Sequence, residues 1–272
     1  MNPVYPIYIP SKGRCKSQQT VKALERMQVP YRLVIEPQEF DYYAAVVDPA
    51  KILTLPFSNR GLVPARNWIW EHALATGAKR HWQLDDNIRN FYRLNRNTRV
   101  QVRTGAIFRA AEHFVDRYEN VALAGFQYKM FAPSRSKWPA FSLNTRIYSC
   151  TLVKNDIPYR YRAVFNDDTD LSLRVLKDGL CTILFFAFLA DKSQTMTVKG
   201  GNTELYAGSG RLHMAQSLQE QHPDVTQIVQ KWGRWQHHVD YRPFKKNRLI
   251  RKANITIPEG IDNFGMELTV AV

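Results

Sequence analysis

The chain has 272 residues, 44% of them hydrophobic, with 13 Gly and 14 Pro. That is enough apolar material for a sizeable core, and it excludes collagen-like, low-complexity and disordered classes. Lys and Arg number 38 against 24 Asp and Glu, a formal net charge of +14, which points to a polyanionic partner such as nucleic acid, nucleotide phosphates or an acidic membrane; a basic enzyme without one is the plainer alternative.

Taken in chain order, Val4 to Ile9 is β-prone and runs into the polar turn Pro10-Ser11-Lys12-Gly13-Arg14. Ser17 to Met27 carries Val21, Leu24 and Met27 at helical spacing, and Pro30 stops it. Tyr31 to Glu36 and Lys51 to Leu55 read as strands. Pro64 suits the first position of a helix that Gly77 closes. His81 to Leu84 is a strand leading straight into Asp85-Asp86-Asn87. Alternation of strand and helix predicts an α/β sheet, mostly parallel and flanked by helices. Thr104 to Arg117 reads as a helix, Val121 to Phe126 and Arg146 to Val153 as strands, and residues 127–145 as a long basic, aromatic loop. Asp168 to Lys177 reads as a helix ended by Gly179. Leu180 to Ala190 is the longest apolar run, too short to span a bilayer, and is predicted to be a buried strand.

The opening MNPVYPIYIPSKGR has no basic flank, apolar run and small-residue cleavage site, so secretion is not expected. Cys15, Cys150 and Cys181 are widely spaced, which disfavours a disulfide framework or zinc ribbon and suits a reducing cytoplasm.

Several constellations could carry chemistry. Asp85 and Asp86 follow an apolar strand, where ligands bind in parallel α/β sheets. Adjacent carboxylates there are costly unless they bind donors or a cation, and hard oxygens suit Mg²⁺ or Mn²⁺; a capping turn is the alternative. In Asn166-Asp167-Asp168-Thr169-Asp170, one Asp could cap the helix and another act as general base; taken alone, a plain charge pattern at a helix start, with no chemistry, is the simpler reading. Arg60-Gly61-Leu62-Val63-Pro64-Ala65-Arg66-Asn67 opens a helix with a basic and amide-bearing pair suited to a phosphate or nucleotide-sugar, unless Arg66 only pairs with a structural carboxylate. Neither a Walker-type loop nor a GxGxxG is present. Lys199-Gly200-Gly201-Asn202 lets backbone approach a ligand closely, and His213 is a candidate third metal ligand or a structural histidine.

From Lys231 to Lys252, basic residues interleave with Trp232, Trp235, Tyr241 and Phe244, and only Asp240 opposes the charge. Such a pattern lets cations follow phosphates while aromatics stack or wedge beside bases. Arg234, His237, His238, Arg242, Lys245 and Lys246 are the candidate nucleic-acid contacts; a solvated basic face is the alternative.

Together PIYIPSKGR, RGLVPARNWIW, LDDNI, NDDTDLSLR, KGGN and WGRWQHHVDY resemble a GT-A-type nucleotide-sugar glycosyltransferase. More narrowly, the chain is similar to the TET-associated glycosyltransferases of tailed phages. The resemblance implies a GT-A-like, Rossmann-related core over residues 1–200 and a basic C-terminal part, 201–272, that completes the site and contacts DNA. It implies transfer from a UDP-sugar, UDP-glucose or UDP-N-acetylglucosamine, to a hydroxymethylated pyrimidine in DNA, 5-hydroxymethylcytosine first, in the host cytoplasm. Pro10, Ser11, Lys12, Arg14, Glu36, Arg66, Asp85, Gly200 and Gly201 would then face the donor. Asp86, Asn87 and His213 would hold Mn²⁺ or Mg²⁺, and Asp168 would be the base. Two positions depart from the family pattern: Asn87 replaces the last carboxylate of Asp-x-Asp, and Asp167 replaces a Glu. A metal-dependent nuclease or phosphotransferase, a non-catalytic DNA-binding protein, and a glycosyltransferase acting on protein or glycan are the rival readings.

Overall fold

The computed structural model describes residues 1–133, 135, 138–193, 210–255, 260, 261, 267 and 268. Lys199-Gly200-Gly201-Asn202, and with it two expected donor contacts, lies outside them. A ten-stranded sheet forms the centre. Its strands are β1 (Ile7–Pro10), β2 (Arg32–Ile35), β3 (Ile52–Thr54), β4 (Arg80–Leu84), β5 (Ile88–Asn95), β6 (Thr98–Gln101), β7 (Val121–Tyr128), β8 (Phe141–Leu143), β9 (Cys150–Lys154) and β10 (Cys181–Lys192). They lie in the order β3-β2-β1-β4-β9-β7-β10-β5-β6, with β8 also on β10. The pairings make β1, β2, β3, β4, β6, β7 and β10 run one way, with β5, β8 and β9 opposed. The sheet is therefore mostly parallel by direction, as the strand–helix alternation predicts.

Side-chain alternation decides what covers each face. Ile7, Ile9, Leu33, Ile35, Trp82 and Leu84 point to one side. There they meet α1 (Gln19–Arg26) and α4 (Ala106–Val115) through Val21, Leu24, Phe108 and Ala111. Tyr8 and Val34, at the intervening positions, point to the other side and pack on α3 (Leu62–Ala75) through Ala65, Ile69 and Ala73. On the same side α5 (Asp167–Lys177) packs Leu171 and Val175 against Leu123, Val153 and Trp70. Trp82 sits fully buried with its ring centroid 5.1 Å from Phe108 and 5.2 Å from Phe126; each such side chain contributes about 1.5–3 kcal/mol of burial.

Several boundaries differ from expectation for local reasons. The third helix begins at Leu62, after Gly61 with φ 86°. Pro64 thus occupies the third helical position, where its missing N–H costs no intrahelical bond. The strand expected from Arg146 begins only at Cys150, because Ser149 holds a left-handed φ of 63°. The segment 127–145 is not one loop: β7 runs on to Tyr128, and β8 pairs with β10. The β5–β6 hairpin at Ile88–Gln101 carries no familiar turn signal, since its turn is Arg96-Asn97, both with positive φ.

Beyond the sheet, α6 (Gly210–Gln221) and the antiparallel hairpin β11 (Thr226–Lys231) and β12 (Arg234–Val239) pack back onto the core. Leu218, Val225 and Phe244 bury against Leu173 and Leu176 of α5. Polar bonds add to this: Asn247 donates to the carbonyls of Leu176 and Leu180, and Asn120 to that of Arg248. Two further short strands, β13 (Gly260–Ile261) and β14 (Glu267–Leu268), pair with each other.

Candidate active site

The parallel directions of β1, β4, β7 and β10 bring their carboxyl ends to one edge of the sheet, where α/β proteins bind ligands. The antiparallel β9 starts at that same edge, since Leu84 pairs with Cys150. Ser11, Asp85, Asp86, Tyr128, Ser149 and Lys192 therefore converge although they are far apart in sequence.

The turn after β1 makes one side. Pro10 ends β1 in register with Val34, and the Ser11 N–H donates to the Val34 carbonyl at 3.0 Å. The Ser11 hydroxyl donates to Asp86 Oδ2 at 2.7 Å and shares a 2.8 Å bond with the hydroxyl of Tyr43, on the short helix α2 (Phe40–Ala44). The Arg14 guanidinium pairs with Asp86 Oδ1. Lys12 Nζ lies 2.8 Å from Glu36 Oε2 and 2.7 Å from Asn59 Oδ1, and the Asn59 N–H donates to Glu36 Oε1 at 3.0 Å. Thr20, at the start of α1, clamps the acidic turn. Its hydroxyl donates to the Asp85 carbonyl at 2.5 Å, its N–H donates to that of Asp86 at 3.2 Å, and its oxygen accepts the Ile88 N–H at 2.9 Å.

The other side is a chain of alternating charges. Lys192 Nζ donates to Asp85 Oδ2 at 2.6 Å and to Ser149 Oγ at 2.7 Å. Asp85 Oδ1 accepts from Arg66 at 3.3 Å, and Arg66 Nη1 lies 2.9 Å from Asp167 Oδ2. Arg66 is buried over the Tyr161 ring, 5.1 Å from its centroid. Among the described residues, the buried Arg66 Nε and Asn87 Oδ1 have no hydrogen-bond partner. Orphaned buried donors and acceptors are groups that a bound ligand would satisfy.

Burial drives each titration, and neighbours decide its sign. Burial pushes the Asp85 carboxyl up, but Lys192 and Arg66 outweigh it and hold it below the usual range. Burial wins at Asp86, which lies above that range in spite of Arg14 and Ser11. At Glu36 the bonds from Lys12, Asn59 and Gln38 overcome burial and hold the carboxyl low. Burial pushes Asp167 up to about 6; Arg66 opposes this, while Asp168 and Asp85 add to it. Burial disfavours the Lys192 ammonium, but Asp85 more than restores it and holds its pKa high.

Asp167 and Asp168 share one helix start and serve different surroundings. Asp168 Oδ1 accepts the Thr169 N–H at 2.8 Å. Its charge acts on Arg146, Tyr241 and His237, the last borne by β12. Burial, then Arg146, pushes His237 down to about 4, so this ring is neutral near pH 7. Asp170, fully buried one turn along, is structural: Arg162, Arg174 and His222 surround it at 2.9, 3.1 and 2.9 Å.

Other expected contacts scatter over the C-terminal part. Arg234, His238, Lys245 and Lys246 are exposed, and Arg242 pairs with Asp240 at 2.8 Å. His213 lies exposed on α6, and among the described residues it belongs to no group of three or more His, Cys, Asp or Glu that could hold a metal ion. Asp86 and Asn87 are adjacent hard oxygen donors of the kind a divalent cation takes, but Arg14 and Ser11 already engage both Asp86 carboxylate oxygens, so a cation there would displace one of them; among the described residues no group of three or more His, Cys, Asp or Glu could hold a metal ion.

Sequence reasoning missed Lys192, Ser149, Tyr128 and Arg146. Lys192 had one signal, a lysine closing the longest apolar strand at the ligand-binding edge. Ser149 had none, because its place depends on the antiparallel course of β9.

The chain matches the model of the TET-associated glycosyltransferase family over residues 5–201. No curated protein matches it. Among solved structures it is similar to a protein from Desulfovibrio desulfuricans described as a nucleotide-diphospho-sugar transferase, with 11% identity, a TM-score of 0.41, and coverage of 79% of this chain and 94% of that one. It is also similar to a mannose-1-phosphate geranyltransferase from Thermus thermophilus, with 13% identity, a TM-score of 0.33, and coverage of 69% and 57%. Scores this low carry no weight on function. Among the described residues no helix is long and apolar enough to cross a membrane.

Proposed function

From the premise that the chain belongs to the TET-associated glycosyltransferase family, we propose that it moves a sugar from a UDP-sugar to the hydroxymethyl group of a modified pyrimidine in DNA. UDP-glucose and UDP-N-acetylglucosamine are the donors of choice, and 5-hydroxymethylcytosine the first acceptor. The observation that carries this reading is the position of Asp168. Its neighbour Asp167 pairs with Arg66 beside the strand-end carboxylates, while the helix that both residues open packs through Leu173 and Leu176 on the basic C-terminal part. A base between an anion-neutralising floor and a basic arm is what transfer from a diphosphate donor to a DNA hydroxyl requires.

In this reading Ser11, Lys12, Arg14 and Glu36 hold the nucleoside end of the donor. Arg66 and Lys192 offset the charge that grows on the diphosphate as it leaves, and Asp85 orients both cations. Asp168 takes the proton of the hydroxymethyl oxygen as that oxygen bonds to the anomeric carbon and the bond from that carbon to the phosphate oxygen breaks, with inversion. Asp86 and Asn87 would hold a Mn²⁺ or Mg²⁺ ion, which would add further charge neutralisation at the diphosphate. The exposed cations Arg234, His238, Lys245 and Lys246 follow the phosphodiester backbone.

Nucleoside mass spectrometry tests the reading. The protein is incubated with Mn²⁺, a panel of UDP-sugars, and DNA bearing cytosine or 5-hydroxymethylcytosine. A sugar mass added only to the modified DNA is the expected result. Donor hydrolysis without transfer moves the acceptor elsewhere, and metal-dependent DNA cleavage without donor use supports the nuclease reading instead.

A further inference from the structure

The β11–β12 ladder runs without interruption from the Thr226–Val239 pair to the Lys231–Arg234 pair, leaving a two-residue turn of Trp232 and Gly233. Both have positive φ, 51° and 69°, the requirement of a type I′ turn, which favours Asn-Gly. A bulky side chain at positive φ is a genuine outlier, and strained residues of this kind cluster where function retains them. Trp232 is also 88% exposed, the most open large apolar side chain described, and Trp235 beside it is 44% exposed. Exposed cations, Lys231 and Arg234, flank the pair on both strands. Among the described residues neither forms an ion pair.

At its other end the hairpin packs on the helix that Asp168 opens, since Val239 of β12 packs against the cluster that holds Leu173 and Leu176 of α5. His237 pairs with Ile228, four residues before Trp232. At about 3.3 Å per residue the tip stands about 13 Å beyond that pair, which is enough to cross a DNA groove about 8.5 Å deep.

We propose that Trp232 is a wedge: the hairpin carries it into the base stack of duplex DNA, where it takes the place of the target nucleotide and lets that nucleotide swing out towards Asp168. This rests on the DNA-directed reading above. A rigid ladder, a protruding aromatic ring and flanking cations are the parts such a wedge needs: the cations grip the phosphates, and the ring fills the gap left in the stack. A solvated hairpin has no use for tryptophan at a position where Asn would relieve the turn.

The test uses Trp232→Asn, which installs the favoured turn residue and so preserves the hairpin; an unchanged or raised Tm confirms this. Transfer is measured on a hydroxymethylated duplex and on the same strand unpaired, with 2-aminopurine beside the target to report unstacking. Wild type is expected to raise 2-aminopurine fluorescence on binding the duplex. The variant is expected to lose that rise and to lower the duplex-to-single-strand activity ratio at least about tenfold; Trp232→Phe, which keeps a stacking ring, is expected to restore most of it. A ratio within about twofold of wild type, with the fluorescence rise intact, would overturn the wedge while leaving DNA glycosylation standing, because stacking is worth more than that. Absence of transfer to either DNA by wild type would instead sink the DNA-directed reading, and the wedge with it.

Discussion

The carboxyl edge of the sheet and the C-terminal hairpin are both rich in charge, and they use it in opposite ways. At the sheet edge the cations Arg14, Lys192 and Arg66 are matched: Arg14 with Asp86, Lys192 with Asp85, and Arg66 with Asp85 and Asp167. These groups are largely withdrawn from water, where breaking a pair costs about 3–5 kcal/mol. On the C-terminal part Arg234, Lys245 and Lys246 are exposed, and among the described residues they form no ion pair. Such charges contribute little to stability and remain available to a polyanion. In the proposed reading the edge holds a fixed geometry around one small ligand, and the arm follows an extended one. Asp168 stands where the two meet.

The largest effect that would break this picture is expected at that junction. Asp168→Asn should lower kcat by about 100- to 10,000-fold, the usual contribution of a general base, while UDP and DNA affinities stay near wild type. Single-turnover kinetics alongside binding titrations check it. Lys192→Met comes next. It strips Asp85 of its closest cation, so we expect a destabilisation of roughly 3–5 kcal/mol and a weakened UDP affinity. Adding Asp85→Asn should recover part of the stability, because it removes the stranded charge, but none of the affinity; thermal unfolding with and without UDP distinguishes the two.

A smaller effect concerns pH. Asp167 is held at about 6, above the ordinary 3.8 of an aspartate. Its pairing with Arg66 therefore needs pH above about 6, and activity should rise with pH through that value. Stability runs the other way: a raised carboxyl favours the folded state when protonated, and that contribution is lost as pH rises from about 4 to about 6. Asp167→Asn should flatten the acid limb of the rate profile.

The mildest change is Lys245→Ala with Lys246→Ala. Stability should move by no more than about 0.5 kcal/mol. The slope of log affinity for DNA against log salt should fall by roughly 0.9 for each phosphate that these lysines neutralise, as fluorescence anisotropy across a salt series would show.

How much of this was legible in the sequence follows the same division. Local patterns found β1, α1, β2, β4 and α5, because two-sided burial produces near-continuous apolar runs and helical spacing survives in Val21, Leu24, Leu171 and Val175. They also located the PSKGR turn, Arg66, Asp85, Asp86 and the Asp167-Asp168 helix start, which lie together at one end of the sheet. The partner of Asp85 was not legible. Lys192 lies 107 residues away, and it arrives only because β10 pairs with β5 beside the acidic turn. Ser149 depends likewise on β9 running against its neighbours. The C-terminal part was read by composition alone. Its strands β11 and β12 are exposed or half-buried at nearly every position, without the alternation of buried and open positions that marks a strand, and a Trp-Gly turn is not the signal that announces a hairpin.

The most direct test of the division is a crossed titration: UDP affinity and DNA affinity measured on both Lys192→Met and the Lys245→Ala, Lys246→Ala variant. The account predicts that the first loses UDP and keeps DNA, and that the second loses DNA and keeps UDP. If either variant loses both affinities together while remaining folded, edge and arm are one surface for one ligand, and the separation argued here is wrong.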